Sequence, residues 1–308
     1  MHGNEWKKRR RAFGLLTLAM LATSGLYASA SAADAAPKGG VAVGAQYDTT
    51  HVYVAPGEFD AFVDSIVATF GGTASPPVVT NVLPVAGSTV FRAIRTPVGV
   101  LSAFAFQTPI AYPFGQERTG YLVSNMDHAL KQARAAGAEV IVDTFKDPIG
   151  YDAVIQWPGG VKMQLYWHFS APSSAPLATI PDNLVYVSPD AADSFVRDFV
   201  RFSHGRIVAD DKSADAGEIG RPGDIYRRIR IESGFGKMQV SVSNGHLPYP
   251  FGYETTGYDV ADLDATLAKA TSNGAKVLAA PYKAADRTTA IVAFPGGYIA
   301  ELHSAAAH

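Results

Sequence analysis

The chain of 308 residues contains no cysteine. It can form no disulfide and has no thiol to protect, which suits an oxidising compartment. An excess of charge is also missing: 26 Lys and Arg stand against 28 Asp and Glu, a formal net charge of -2. Nucleic-acid binding ordinarily needs a basic footprint, and the only dense basic run is "KKRRR" near the start. A long apolar run is lacking too. The stretch from Ala12 to Ala22 is short for a membrane span.

The basic run and the short apolar stretch belong together. "MHGNEWKKRRRAFGLLTLAMLATSGLYASASAADAAPKGG" passes from basic to apolar to small residues, with Ala-x-Ala patterns at Ala28 to Ala30 and Ala30 to Ala32. This is the layout of an export signal, expected over residues 1–32. The alternative is an uncleaved membrane anchor. Arg10, Arg11 and Phe13 fit the spacing of a twin-arginine signal. The expected location is therefore exported, periplasmic or secreted, with a flexible segment over residues 33–46 and no stable membrane insertion after cleavage.

The rest of the chain says nearly everything twice. "YPFGQERTGYLV" at Tyr112 returns as "YPFGYETTGYDV" at Tyr249. From these points Tyr112–Leu165 overlays Tyr249–Leu302 without a gap. Upstream, "HVYVAPGEFDAFVDSIVATFGG" matches "LVYVSPDAADSFVRDFVRFSHG", and "FRAIRTPVG" is set against "YRRIRIESG". A tandem duplication follows. Domain one is expected over 47–169, a Ser-, Ala- and Pro-rich linker over 170–182, and domain two over 183–304, each with its own core.

Each domain in turn reads as two units. In the first, a strand at His51–Val54 precedes a helix from Glu58 to Phe70. Phe59, Phe62, Val63, Ile66 and Val67 fall on one face of that helix, and Gly71 and Gly72 stop it. Three strands follow, at "PVVTNVLP", "STVFRAIRT" and "VLSAFAFQ". The second unit repeats the order: "TGYLV", a helix from Met126 to Ala136 ended by Gly137, then "EVIVDTF", "DAVIQW" and "VKMQLYW", with "PGG" turning between the last two. The fold class is α+β, four strand-helix-strand-strand-strand units in which helices cover one face of each sheet.

"VSNMDHALKQARAAGAEV" with "WPGGVKMQL", and "VADLDATLAKATSNGAKV" with "FPGGYIAEL", carry a resemblance to the vicinal oxygen chelate superfamily over residues 47–304. That superfamily includes glyoxalase I, extradiol dioxygenases and bleomycin or fosfomycin resistance proteins. The resemblance implies two glyoxalase-like domains with curled sheets. It also implies one divalent metal (Zn, Mn, Ni or Fe) inside a curled sheet, held by residues of the two opening strands and a Glu of the last strand. Carried onto domain one, these positions are His51, the neighbourhood of Arg118, and Gln164. In domain two they are Leu184, Thr255 and Glu301, with His303 two residues on as a compensating ligand. Neither half keeps a full triad: one has the His, the other the Glu.

Strand parity assigns the open face. Lys162, Gln164, Tyr166 and His168 point away from the core set Val161, Met163 and Leu165. Ile299, Glu301 and His303 share that second orientation, as do His51 with Tyr53 and Leu184 with Tyr186. Arg95 and Arg230, with Tyr53 and Tyr186, suit an organic anion or a polar aromatic compound. Phe114 and Phe251 close the base of each cleft. Glu117 and Glu254 are the acids kept in both copies of the repeated phrase. Each can carry a proton, hold an Arg or bind a metal, or can tie down a turn that joins two units. His51 is expected inside the first cleft, within reach of Gln164 and Glu117.

Three functions compete. One is a metal-dependent lyase, isomerase or dioxygenase on a small organic molecule, with Glu117 or Glu301 moving the proton. The second is a metal-free small-molecule binding protein with degenerate metal sites. The third is a structural or partner-binding exported protein.

Overall fold

Strand and helix periodicities decide local structure, and they do so here with little interference. The computed structural model describes residues 40–82, 85–115, 118–284 and 286–306. The export-signal region and Glu117 lie outside them. In the first half the order is β1 (Thr49–Tyr53), α1 (Phe59–Phe70), β2 (Thr73–Ala74), β3 (Val78–Asn81), β4 (Ser88–Thr96) and β5 (Gly99–Phe106). Then come β6 (Thr119–Leu122), α2 (Met126–Ala136), β7 (Glu139–Lys146), β8 (Gly150–Gln156) and β9 (Lys162–His168). The second half runs β10 (Asp182–Val187), α3 (Pro189–Ser203), β11 (Arg206–Asp215), β12 (Ile225–Ser233) and β13 (Gly236–Val242). It ends with β14 (Thr255–Asp259), α4 (Leu263–Ser272), β15 (Lys276–Lys283), β16 (Arg287–Ala293) and β17 (Ile299–Ala305).

The helix ends follow from the sequence. Asn125 caps α2 by accepting from the amide of His128 at 2.8 Å, and Gly137 ends it at φ 100°, a left-handed conformation that costs glycine little. Asp262 caps α4 in the same way through Ala265. On α1 the expected stripe is buried: Phe59, Phe62, Val63 and Ile66 are each at most 5% exposed. Burial of Phe62 alone is worth about 1.5–3 kcal/mol.

The sheets have the orders β2-β4-β5-β1-β6-β9-β8-β7, with β3 also on β4, and β11-β12-β13-β10-β14-β17-β16-β15. Each is centred on the two opening strands of its units. β1 pairs antiparallel with β6, and β10 with β14. The two halves thus share one topology, as the repeat predicts.

Three expectations are corrected. First, the halves do not have separate cores. α1 packs on α4, and Phe62, Ile66, Tyr258, Leu267 and Tyr298 form one cluster. α2 packs on α3, and Trp157, Phe195, Phe199 and Tyr121 belong to the other. Each helix has more apolar surface than its own sheet can cover, so the helices of opposite halves bury it against each other. Second, the segment before β1 is packed from residue 40 onward: Val41 is fully buried and the Val43 amide donates to Leu122 O at 2.9 Å. Third, the curl differs between the sheets. In the second, Arg230 of β12 grips Asp286, beyond β15, and a Cβ on Gly217 would lie 2.5 Å from the Tyr282 hydroxyl. The sheet's ends therefore meet across its open face. No comparable contact joins the ends of the first sheet among the described residues, which is not closed.

Register refines the repeat. His51 and Leu184 are partnered by Ser102 and Gln239, and these by Ala93 and Arg230. Arg230 is therefore the counterpart of Ala93, and Arg95 that of Glu232, two residues away from the sequence overlay. A slip of two preserves side-chain parity, so the faces were read correctly although the partners were not.

Candidate functional site

The open face of the second sheet forms a shallow cleft, open to solvent. Leu184, Tyr186, Ile219, Phe251, Tyr282 and Ile291 make most of its wall, and Glu218, Gln239, Thr255, Arg287, Thr289 and Glu301 supply its polar groups. Phe251 comes from the second copy of the repeated phrase. It packs beside the turn after β11, where a Cβ on Gly220 would lie 2.5 Å from its ring.

At the floor, β17 presents Glu301 and His303 on one face. Gly257 stands beside Glu301 on β14, and a Cβ there would lie 2.3 Å from Glu301 Oε2. The glycine leaves the room that the carboxylate occupies. Glu301 Oε1 accepts the Thr289 hydroxyl proton, and Oε2 is 3.3 Å from His303 Nδ1. The other ring nitrogen, Nε2, is 3.3 Å from Arg287 Nη1, which also donates to Asp182 Oδ2 at 2.7 Å. A guanidinium only donates, so Nε2 is the acceptor and the ring proton sits on Nδ1, aimed at Glu301. Burial pushes the Glu301 carboxyl up. The hydrogen bond and electrostatic pull of His303, the hydrogen bond of Thr289 and the charge of Arg287 draw it down, and they win.

The ionic chain continues on both sides. Arg287 lies 3.8 Å from Asp286, which takes a second bond from Arg230 Nη2 at 2.8 Å. Burial raises the Asp286 carboxyl, but the Arg230 and Arg287 guanidiniums hold it at about 2. Across the cleft, buried Arg228 donates to Glu218 Oε1, and the Tyr226 hydroxyl donates to Oε2 at 3.1 Å. Burial pushes Tyr186 up to about 12. At the mouth, hydrogen bonding to Asp215 raises Tyr282 to about 12.

The first cleft is different. Its β1, β4 and β5 side carries a cluster of rings. Tyr53 stacks on Phe104 at 5.4 Å, Phe91 meets Phe104 at 5.3 Å, and Phe106 meets Phe114 at 5.7 Å. Buried His51 stands edge-on to Phe104 at 5.8 Å. Its Nε2 lies over Gly120, where a Cβ would approach to 2.7 Å. Gln164 on β9 is the register partner of Gly120, so His51 and Gln164 both border that glycine, on the parity the sequence predicted.

Among the described residues neither donor set fits a divalent metal. In the first half Arg118 is bound to His51 through its backbone, at the position where a ligand would be needed. In the second, Leu184 offers no donor and His303 Nε2 faces a guanidinium. Among the described residues no group of three or more His, Cys, Asp or Glu could hold a metal. Among the expected ligand-binding side chains, Tyr186 and Phe251 line the second cleft, and Tyr53 and Phe114 belong to the ring cluster of the first sheet. Arg95 is half-buried and donates to Ala175 O at 2.8 Å, and Arg230 is committed to Asp286. Sequence reasoning missed Arg287, Asp182, Glu218 and Tyr282. Arg287 alone had a signal, since "RTTAIVA" is a strand whose parity puts Arg287, Thr289 and Ile291 on one face.

No protein-family model matches the chain, and no curated protein does. Solved structures do. A triple mutant of 4-hydroxymandelate synthase from Streptomyces coelicolor aligns with a TM-score of 0.60 at 10% identity, over 86% of this chain and 93% of that one. The 2,3-dioxygenase LapB from Pseudomonas sp. KL28 aligns at 0.50 with 12% identity, over 84% and 92%. A xylose isomerase-like TIM barrel/4-hydroxyphenylpyruvate dioxygenase fusion protein aligns at 0.52 with 12% identity, over 87% of this chain and 50% of that one, so this chain spans half its length. Identities this low speak for fold and not for chemistry. With the strand order and the internal repeat, they make this chain a tandem-duplicated vicinal oxygen chelate fold.

Proposed function

We propose that the protein is an exported small-molecule binding protein that works without a metal, and that its working site is the second cleft. One observation carries this reading: the place where a metal would meet His303 is taken by the Arg287 guanidinium, 3.3 Å from Nε2. A metal at that point would face a fixed positive charge. The wall of the cleft is mainly apolar with a few polar groups, the make-up of a small-molecule site. Glu301, expected as a proton carrier, is held ionised and doubly engaged, which favours orienting a ligand over moving a proton.

The test uses chelator-treated mature protein. Zn, Mn, Ni and Fe(II) are titrated in turn against wild type, His51→Ala and Glu301→Gln, and a small-molecule library is screened by thermal shift. The expected result is no stoichiometric metal in any of the three, with library hits that Phe251→Trp abolishes by filling the second cleft. One equivalent of metal in wild type, lost in either variant, overturns the reading. Export is tested by the mass of the secreted product, expected to begin near Ala32; a product that retains Trp6 contradicts it.

A further inference from the structure

The sequence suggested an organic anion as ligand, through Arg95 and Arg230. The charges around the second cleft argue for the opposite sign. Its carboxylates and those paired to its walls are Asp182, Asp211, Asp215, Glu218, Asp286 and Glu301, against the guanidiniums Arg228, Arg230 and Arg287. Each guanidinium is paired with a carboxylate, although the buried Arg230 Nε has no hydrogen-bond partner. Arg228 lies on Glu218, Arg230 is bidentate on Asp286, and Arg287, the one that lines the cleft, is on Asp182. An incoming anion finds no cation to release. The carboxylates are less evenly served. Among the described residues no guanidinium bonds Glu301, whose partners are the Thr289 hydroxyl and the His303 ring.

The wall agrees with the charge. Tyr186, Phe251 and Tyr282 bring three aromatic rings to the same cleft as the Glu301 carboxylate. Ring faces attract cations and carboxylates pair with them, so rings and acid together make a receptor for an ammonium group. The surrounding Leu184, Ile219 and Ile291 accept an apolar body.

Resting on the reading that this cleft binds a small molecule, we infer that its ligand is an organic cation, an amine or quaternary ammonium on an aromatic or aliphatic body, with the charge set toward Glu301 and the rings of Tyr186, Phe251 and Tyr282 around it.

Three probes of similar shape test this by calorimetry on the full mature chain: 2-phenylethylamine, 2-phenylethanol and 3-phenylpropionate. The amine should bind about tenfold more tightly than the alcohol, and the carboxylate most weakly. Glu301→Gln should weaken the amine about tenfold and leave the alcohol within about twofold. Tyr282→Leu, at the mouth, should also weaken the amine and serves if the Glu301 variant fails to fold. Tighter binding of the carboxylate, equal binding of all three, or an amine indifferent to both substitutions overturns the inference and leaves the small-molecule reading standing. Binding of none of the three overturns it as well, while the library screen decides separately whether the cleft binds anything.

Discussion

Arg287 Nη1 lies 3.3 Å from His303 Nε2, so a guanidinium stands where the imidazole would otherwise offer a lone pair to a metal. The same nitrogen holds Asp182 at 2.7 Å. One side chain thus satisfies an acid, fixes a tautomer and stands between Asp182 and His303, where a cation of another kind would sit.

Removing that side chain has two consequences. Arg287→Ala leaves Asp182 buried without its countercharge, and the loss of one member of a buried pair costs about 3–5 kcal/mol. It also frees His303 Nε2 beside Asp182, whose Oδ2 is 3.9 Å away. The variant should melt well below wild type, and Zn should recover about 2.7 kcal/mol once it reaches a hundred times its Kd. Differential scanning calorimetry with and without Zn checks both parts. Zn stabilisation equal in wild type and variant contradicts the blocking role.

Asp152 gives a pH-dependent test in the first half. It is buried on β8, and burial and the charge of Asp147 push its carboxyl well above the ordinary value. A raised carboxyl makes the folded state bind more protons than the unfolded chain. Stability from this group is therefore full below the unfolded value and declines as pH rises toward the folded one. Asp152→Asn should raise Tm at pH 7, with the gain shrinking as pH falls toward 4. A gain that grows on acidification would reverse the sign. Asp286 works the other way: held at about 2, it contributes stability that is lost as pH falls from the ordinary carboxylate range toward 2.

Gly257→Ala probes the floor of the cleft. Its Cβ would stand 2.3 Å from Glu301 Oε2 and 3.0 Å from Leu184 Cδ1. Overpacking at such a site costs about 1–3 kcal/mol and here also displaces the carboxylate. Thermal melts should show the loss, and amine binding should fall with it. An alanine variant with wild-type stability and affinity would show that Glu301 is not seated as described.

The shared cores predict that neither half folds alone. Residues 40–169 expressed without 183–304 would expose the faces of α1 and α2 that α4 and α3 cover, Phe62 of α1 among them, and Trp157 after β8, which packs on α3; each is worth about 1.5–3 kcal/mol when buried. Circular dichroism and urea titration should show no cooperative transition for either piece, and mixing should restore one. Two halves that melt cooperatively on their own would establish separate cores.

How much of this could be read without coordinates depends on the range of the cause. The α1 stripe, the caps at Asn125 and Gly137, the hairpin strands and the unit order are set by residues near one another, so local periodicity predicts them. The duplication gives the topology, since two like halves must solve the same packing problem. Parity put His51, Gln164, Glu301 and His303 on the open faces, and a two-residue slip in the overlay of β4 on β12 left those faces unchanged. The sequence by itself therefore determined which side chains look into a cleft. Only the tertiary structure decided what they meet there. Asp182 and Arg287 are 105 residues apart, and Arg230 and Asp286 are 56 apart. Such pairs form because one sheet brings its ends together, and no local pattern encodes that approach. The same holds for the cores: each helix advertises an apolar face, but packing alone determines that the partner of α1 is α4.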